Sequence, residues 1–120
     1  MSRLIFFLTI FLLPGCAKPL PEITEIDLQQ WKADRHGCNG YRENTSETFL
    51  NQKEKLLGLS ENQILKLIGK PDAAELYKRN QKFYYYALSA DSTCNSPSGL
   101  SKKLSLRFNA TGLVKEVTTE

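Results

Sequence analysis

Three cysteines, Cys16, Cys38 and Cys94, and a single histidine, His36, are the residues of this 120-residue chain best suited to nucleophilic or metal chemistry. A nucleophile built from His36 with Cys38 or Cys94 would need the imidazole to take the thiol proton, and pairing of the two cysteines would disable it. His36 stands between Arg35 and Gly37 with no second histidine, no HExxH, no carboxylate pair at helical spacing and no phosphate-cradling glycine loop. These residue types point away from catalysis, and no metal or cofactor is implied. His36 reads instead as a partly exposed residue at a helix end, where its positive form suits the helix dipole. With 16 basic and 13 acidic side chains the formal net charge is +3, too small for strong electrostatic steering, so nucleic acid is not implied as a partner.

Cys16 belongs to a different chemistry. It closes "LLPGC", which follows an apolar run over residues 4–13 broken only by Thr9. That run is about half the roughly 20 residues a membrane-spanning helix needs. Arg3 ahead of it and the small Gly15 at its end give the layout of a secretory signal. Leu13, Pro14, Gly15 and Cys16 together resemble the lipobox of bacterial lipoproteins. That resemblance implies cleavage before Cys16, diacylation of its sulfur and tethering to a membrane; Ala17 at the next position favours the outer membrane, facing the periplasm. An ordinary signal peptide with an accidental cysteine is the alternative. In an exported chain the remaining pair, Cys38 and Cys94, suggests a disulfide, the other reading being two buried or free thiols.

The elements that must position these residues follow from periodicity. Residues 1–15 read as the signal, 16–26 as a lipidated tether whose Pro19 and Pro21 favour extended backbone, and 27–120 as one small domain. The tether is expected to hold that domain off the bilayer. Asp27 caps a short helix through Trp31, which Gly37 and Gly40 end. "SETFLNQKEKLLG" predicts a helix capped by Ser46 and closed by Gly58. "SENQILKLIG" predicts another, with Ser60 and Gln63 as a capping box and Gly69 as its stop before Pro71. Beyond Pro71 the period becomes two. "AAELYK" and "KFYYYALS" predict a hairpin, "ADSTCNSPSG" a loop, and "KLSLRFN" then "LVKEVT" two further strands. The fold class is α+β, with the N-terminal helices packed on one face of a three- to four-stranded antiparallel meander as a two-layer sandwich.

The block "LLGLSENQILKLIGKPD", the aromatic strand "FYYYAL" and the closing "LSLRFNATGLVKEV" resemble the SmpA/OmlA (BamE-like) family of outer-membrane lipoproteins, over residues 56–117. The elements that match are Gly58, the Leu-Ser entry to the helix, Gly69 and Pro71, the aromatic strand, Phe108 with Asn109, and Gly112. The same pattern is similar to the β-lactamase-inhibitor-protein fold. The family resemblance implies a non-catalytic lipoprotein that supports outer-membrane β-barrel assembly, touching its BamA and BamD components and anionic phosphatidylglycerol. A stand-alone periplasmic inhibitor or ligand-binding lipoprotein of the same fold is the alternative. The head "WKADRHGCNGYR" and the loop holding Cys94 lie outside the resemblance.

Two surface features are candidates for binding. In "FYYY", Phe83 and Tyr85 share one sheet face and Tyr84 and Tyr86 the other, so one pair faces away from the helices and is available to a protein partner. Cross-strand packing alone is the competing role. Lys78, Arg79 and Lys82 cluster at one turn and Lys102 and Lys103 begin another strand. Both groups suit anionic headgroups, or else are solvated turn charges. Should the aromatic strand prove structural, the head "WKADRHGCNGYR" is the next surface to consider.

Overall fold

The alternating C-terminal half of the chain folds into a four-stranded antiparallel sheet in the order β1-β2-β3-β4, and the helices pack on one of its faces. A computed structural model describes residues 18–99 and 101–120, and of Lys78 the backbone alone; the signal segment and Cys16 lie outside the described residues. The strands are β1, Ala73–Tyr77, β2, Gln81–Ala87, β3, Lys103–Phe108, and β4, Val114–Thr119. Each consecutive pair is antiparallel, with Tyr84 opposite Ala74 and Leu106, and Leu106 opposite Val117. Among the described residues no helix is long and apolar enough to cross a membrane.

Among the described residues three α-helices precede the sheet: α1, Leu28–Ala33, α2, Tyr41–Leu50, and α3, Glu61–Ile68. Asp27 caps α1 by accepting the Gln29 and Gln30 amides. Ser60 and Gln63 form the reciprocal capping box on α3, satisfying two N–H groups that the first turn cannot. The second helix departs from expectation. It begins at Tyr41, not Ser46, whose hydroxyl donates to the Glu43 carbonyl from inside the helix. Its N-cap, Gly40, has no side chain to offer. The carboxylate of Asp34 supplies the missing acceptor instead, taking the Arg42 amide in the first turn at 2.9 Å and the Asn39 amide at 2.6 Å. After Leu50 the chain tightens into a 3-10 turn, Lys53–Leu56, so the expected single helix up to Gly58 is broken in two.

The core lies between the layers. Trp31, Phe49, Ile64 and Ile68 from the helices meet Tyr84, Tyr86, Leu104, Leu106 and Phe108 from the sheet, all nine at most 9 % exposed. Trp31 stacks on Phe49 with centroids 4.9 Å apart and tilts against Tyr86 at 5.7 Å. Burying these rings and aliphatic side chains contributes about 1.5–3 kcal/mol apiece, which sets the registry of the two layers.

The stretch 18–26, read from the sequence as part of an extended tether, is held against the domain. Ile23 is in the core at 6 % exposure, and Thr24 donates through both its amide and its hydroxyl to Gln52 Oε1 at 2.8 and 3.0 Å. Cys38 and Cys94 are joined by a disulfide across a sequence separation of 56, fastening the head to the loop between β2 and β3.

Candidate binding surface

Side-chain alternation along β2 divides the four aromatics, and the packing of the helices decides which pair is free. Tyr86 is fully buried, and its hydroxyl donates to the Gly69 carbonyl at 2.8 Å. Tyr84 is 9 % exposed, set edge-on to Phe108 at 4.8 Å, with its hydroxyl donating to Glu61. Both are core residues and leave the list of candidate contacts. Burial pushes the pKa of both phenols up and disfavours their ionisation, an effect the Glu61 carboxylate strengthens at Tyr84.

Phe83 and Tyr85 lie on the opposite face, half-buried, and extend a row that the sequence reading missed at its far end. Tyr77 of β1 sits edge-on to Phe83 at 5.0 Å, and Phe83 stacks on Tyr85 at 6.2 Å. Tyr77 is 53 % exposed, and its neighbour Leu76, on the other face of β1, is 72 % exposed. The register of the hairpin was the available signal: Glu75 pairs with Phe83 and Tyr77 with Gln81, so odd-numbered residues of both strands share a face.

Charged groups frame this row. The Tyr85 hydroxyl donates to Glu75 Oε2 at 3.1 Å, and the Lys103 ammonium lies 4.3 Å from the centroid of the same ring. Lys103 also meets Glu120 at 3.3 Å, and Arg107 meets Glu116 at 3.1 Å across β3 and β4. Partial burial, followed by the bond to Glu75, pushes the Tyr85 phenol up to about 12, so it remains a neutral donor at any physiological pH. Ser105, on the same face, is only 3 % exposed between Tyr85 and Thr118, which pair with it on either side.

The basic candidates differ in their surroundings, the side chain of Lys78 lying outside the described ones. Arg79 is exposed in the turn Lys78–Asn80 with φ at 65°, whereas Lys82 points to the helix side and pairs with Glu61 at 2.8 Å. That carboxylate raises the Lys82 ammonium and offsets its charge. Lys102 and Lys103 lie at the other end of the sheet, since Lys103 pairs with Ala87 at the close of β2. The two lysine groups therefore cannot meet a single headgroup layer together.

His36 and its neighbours form a polar clasp. His36 lies partly exposed in the short 3-10 turn Arg35–Gly37 after α1, with φ 59°; its Nδ1 is 2.7 Å from Asp91 Oδ2 and its amide donates to Asp72 Oδ1 at 3.1 Å. Burial alone would raise Asp91, but hydrogen bonds from Thr93 and then His36 outweigh it and hold the carboxyl below its ordinary value. Asp72, with its side chain 5 % exposed, also accepts Arg42 Nη1 at 2.7 Å and the Ala87 amide at 2.7 Å. The Arg42 side chain is fully buried, its guanidinium 4.2 Å from the Trp31 ring centroid. With both Cys38 and Cys94 in the disulfide, no cysteine among the described residues is left as a thiolate for His36 to activate. Among the described residues there is no group of three or more His, Cys, Asp and Glu arranged to hold a metal ion. A cleft of about 420 Å³ between α2 and the Cys94 loop is walled by Glu43, Ser46, Leu88 and Lys102, of which the sequence had singled out Lys102 for binding and Ser46 as a helix cap. Comparison of the chain with protein-family models, with curated proteins and with solved structures finds no match.

Proposed function

We propose that the chain is a non-catalytic, lipid-anchored protein of the bacterial cell envelope that binds a protein partner through the sheet face opposite its helices. The observation that carries this reading is the row Tyr77, Phe83 and Tyr85, continuous over two strands and framed by ion pairs. Aromatic rings give a large contact area at low entropic cost, and a rim of charges sets orientation. Strand β1 adds to the surface, because it is bonded only to β2 and all five of its residues are exposed. Anchoring follows from the lipobox-like "LLPGC" at Cys16. The resemblance to the SmpA/OmlA family supports β-barrel assembly components of the outer membrane as the partner, with anionic lipid meeting the exposed Arg79.

Affinity purification from gently solubilised envelopes tests the reading. The acylated protein is expected to bring down barrel-assembly components, and a Phe83→Ala, Tyr85→Ala double variant to lose most of them while keeping its fold. Recovery of a soluble enzyme or a small ligand in their place would favour the inhibitor or ligand-binding alternative. Unaltered recovery by the double variant would move the surface elsewhere.

A further inference from the structure

We infer that the domain rests on the bilayer by one fixed end, the end carrying both hairpin turns of the sheet, and does not swing from a loose tether. The inference rests on acylation of Cys16 and concerns the orientation that acylation would impose.

Its basis is how the first described residues are held. Lys18 Nζ donates to the carbonyls of Lys55 and Leu57, each at 3.0 Å, and Gln63 Nε2 donates to the Lys18 carbonyl. Further along, Lys55 Nζ donates to the Glu22 carbonyl at 2.9 Å and Gln52 Nε2 to the Thr24 carbonyl at 2.9 Å, and Ile23 between them is locked into the core. Chain can travel at most about 3.6 Å per residue, so the two steps from Lys18 back to Cys16 span no more than about 7 Å. The docking site of Lys18 therefore decides which surface meets the headgroups.

That site can be traced through contacts to one end of the sheet. Gln63 lies in the first turn of α3. In the same turn Glu61 pairs with Lys82 at the start of β2, and Ser60, the cap, bridges to Leu113 just before β4. In an antiparallel meander the end of β1, the start of β2, the end of β3 and the start of β4 coincide, which places the turn Lys78–Asn80 and the turn at residues 109–113 together there. Exposed apolar side chains accompany the tether: Leu20 at 49 % and Leu57 at 38 %. Leu57 shares a shallow groove with Lys53 and Lys115, and also with Glu54 and Glu116, so the charge there is mixed and the anchor, not net charge, sets the pose. The disulfide and the loop around Cys94 belong to the opposite end. The strands then run away from the membrane, and the aromatic row faces sideways, toward a partner embedded in the same bilayer.

The test is paramagnetic relaxation in lipid nanodiscs holding the full acylated chain, with a nitroxide on the lipid headgroup. Amides of Leu57, Arg79 and Thr111 should be broadened several-fold more than those of Asn95 and Ser96. The same pattern is expected in phosphatidylcholine alone and with phosphatidylglycerol added. Equal broadening at both ends would overturn the inference, as would a pattern that appears only with the anionic lipid. A Lys18→Ala, Gln52→Ala variant should even out the two ends while keeping its acyl mass and its place in the disc; an unchanged pattern would show that these bonds do not set the pose. Failure of the anchoring itself has a separate signature: an intact mass without the diacylglyceryl increment and no incorporation into discs.

Discussion

Replacing Asp72 by alanine removes the acceptor on which four donors converge. Its carboxylate takes Arg42 Nη1 and the Ala87 amide, both at 2.7 Å, the His36 amide at 3.1 Å, and pairs with Arg35 Nε at 3.4 Å. Arg35 is half in solvent and can rehydrate, so it adds little to the cost. Arg42 cannot, because its side chain is fully buried. Breaking a buried pair on one side leaves a charge with no counterpart and costs about 3–5 kcal/mol, a large share of the roughly 5–15 kcal/mol that stabilises a typical domain. At a urea m-value of about 1.5 kcal/mol/M, the unfolding midpoint should fall by roughly 2–3 M. Should that variant fail to fold, Asp72→Asn keeps one accepting oxygen and is expected to lose about 2–3 kcal/mol. The decisive comparison adds Arg42→Met to Asp72→Ala. With both charges gone, the double variant should be more stable than the sum of the two single losses requires, by at least about 1 kcal/mol. A loss below about 1 kcal/mol for Asp72→Ala, or strict additivity in the double variant, would refute the argument that this pair is a buried, mutually dependent unit.

Alanine at Tyr84 and Tyr86 together should unfold or severely destabilise the domain, since each large aromatic removed from a core costs about 3–5 kcal/mol; alanine at Phe83 and Tyr85 should cost much less and act on partner capture, and thermal melts of the two pairs separate the cases. Replacing Cys38 and Cys94 by serine opens a loop with a separation of 56 and should cost about 4 kcal/mol, read as a lower urea midpoint; an unchanged midpoint would contradict it. Asp91, held below its ordinary value, stabilises the fold above the unfolded carboxyl pKa of about 3.9, and this contribution is lost as pH falls through the lower folded value. Asp91→Asn should therefore show a shallower acid limb in stability as pH falls below the unfolded carboxyl value, and an identical limb in both proteins would count against it.

What was legible in the sequence was what local rules govern. Ser60 and Gln63 lie within one turn, so their reciprocal cap could be read directly, and strand alternation placed Leu104, Leu106 and Phe108 on one face. The start of α2 was not legible, because its capping carboxylate, Asp34, comes from beyond an intervening turn and Gly40 carries no side chain of its own. Arg42 broke the pattern in another way. A charged residue inside a helix reads as solvated, and only its ion pair with Asp72, 30 residues on, reveals a core position. The aromatic strand gave two faces but not their sides: which pair is covered depends on how α3 and the earlier helices return over the sheet, a tertiary choice absent from the strand itself. Gly37 was read as a helix stop, yet a Cβ there would also lie 2.7 Å from the Ser89 backbone, a constraint from a segment 52 residues away.

These long-range ties bear on where the proposed partner would bind. The head "WKADRHGCNGYR" was the fallback surface, but most of its distinctive groups are occupied within the protein. Trp31 and Arg42 fill the core, Asp34 caps α2, Arg35 donates to the carbonyls of Lys70 and Pro71, His36 meets Asp91, and Cys38 is in the disulfide. The head is thus a clasp that closes one end of the two layers. The hairpin of β1 and β2 is built the other way: one strand bonded on a single edge, exposed on both faces, with Leu76 and Tyr77 presented to solvent. Edge strands of this kind accept another strand unless charge or proline guards them. Between Ala73 and Tyr77 the only charge is Glu75, already bonded to Tyr85. The proposed binding role needs rigid support behind an exposed surface; the clasp would supply the first and the hairpin the second.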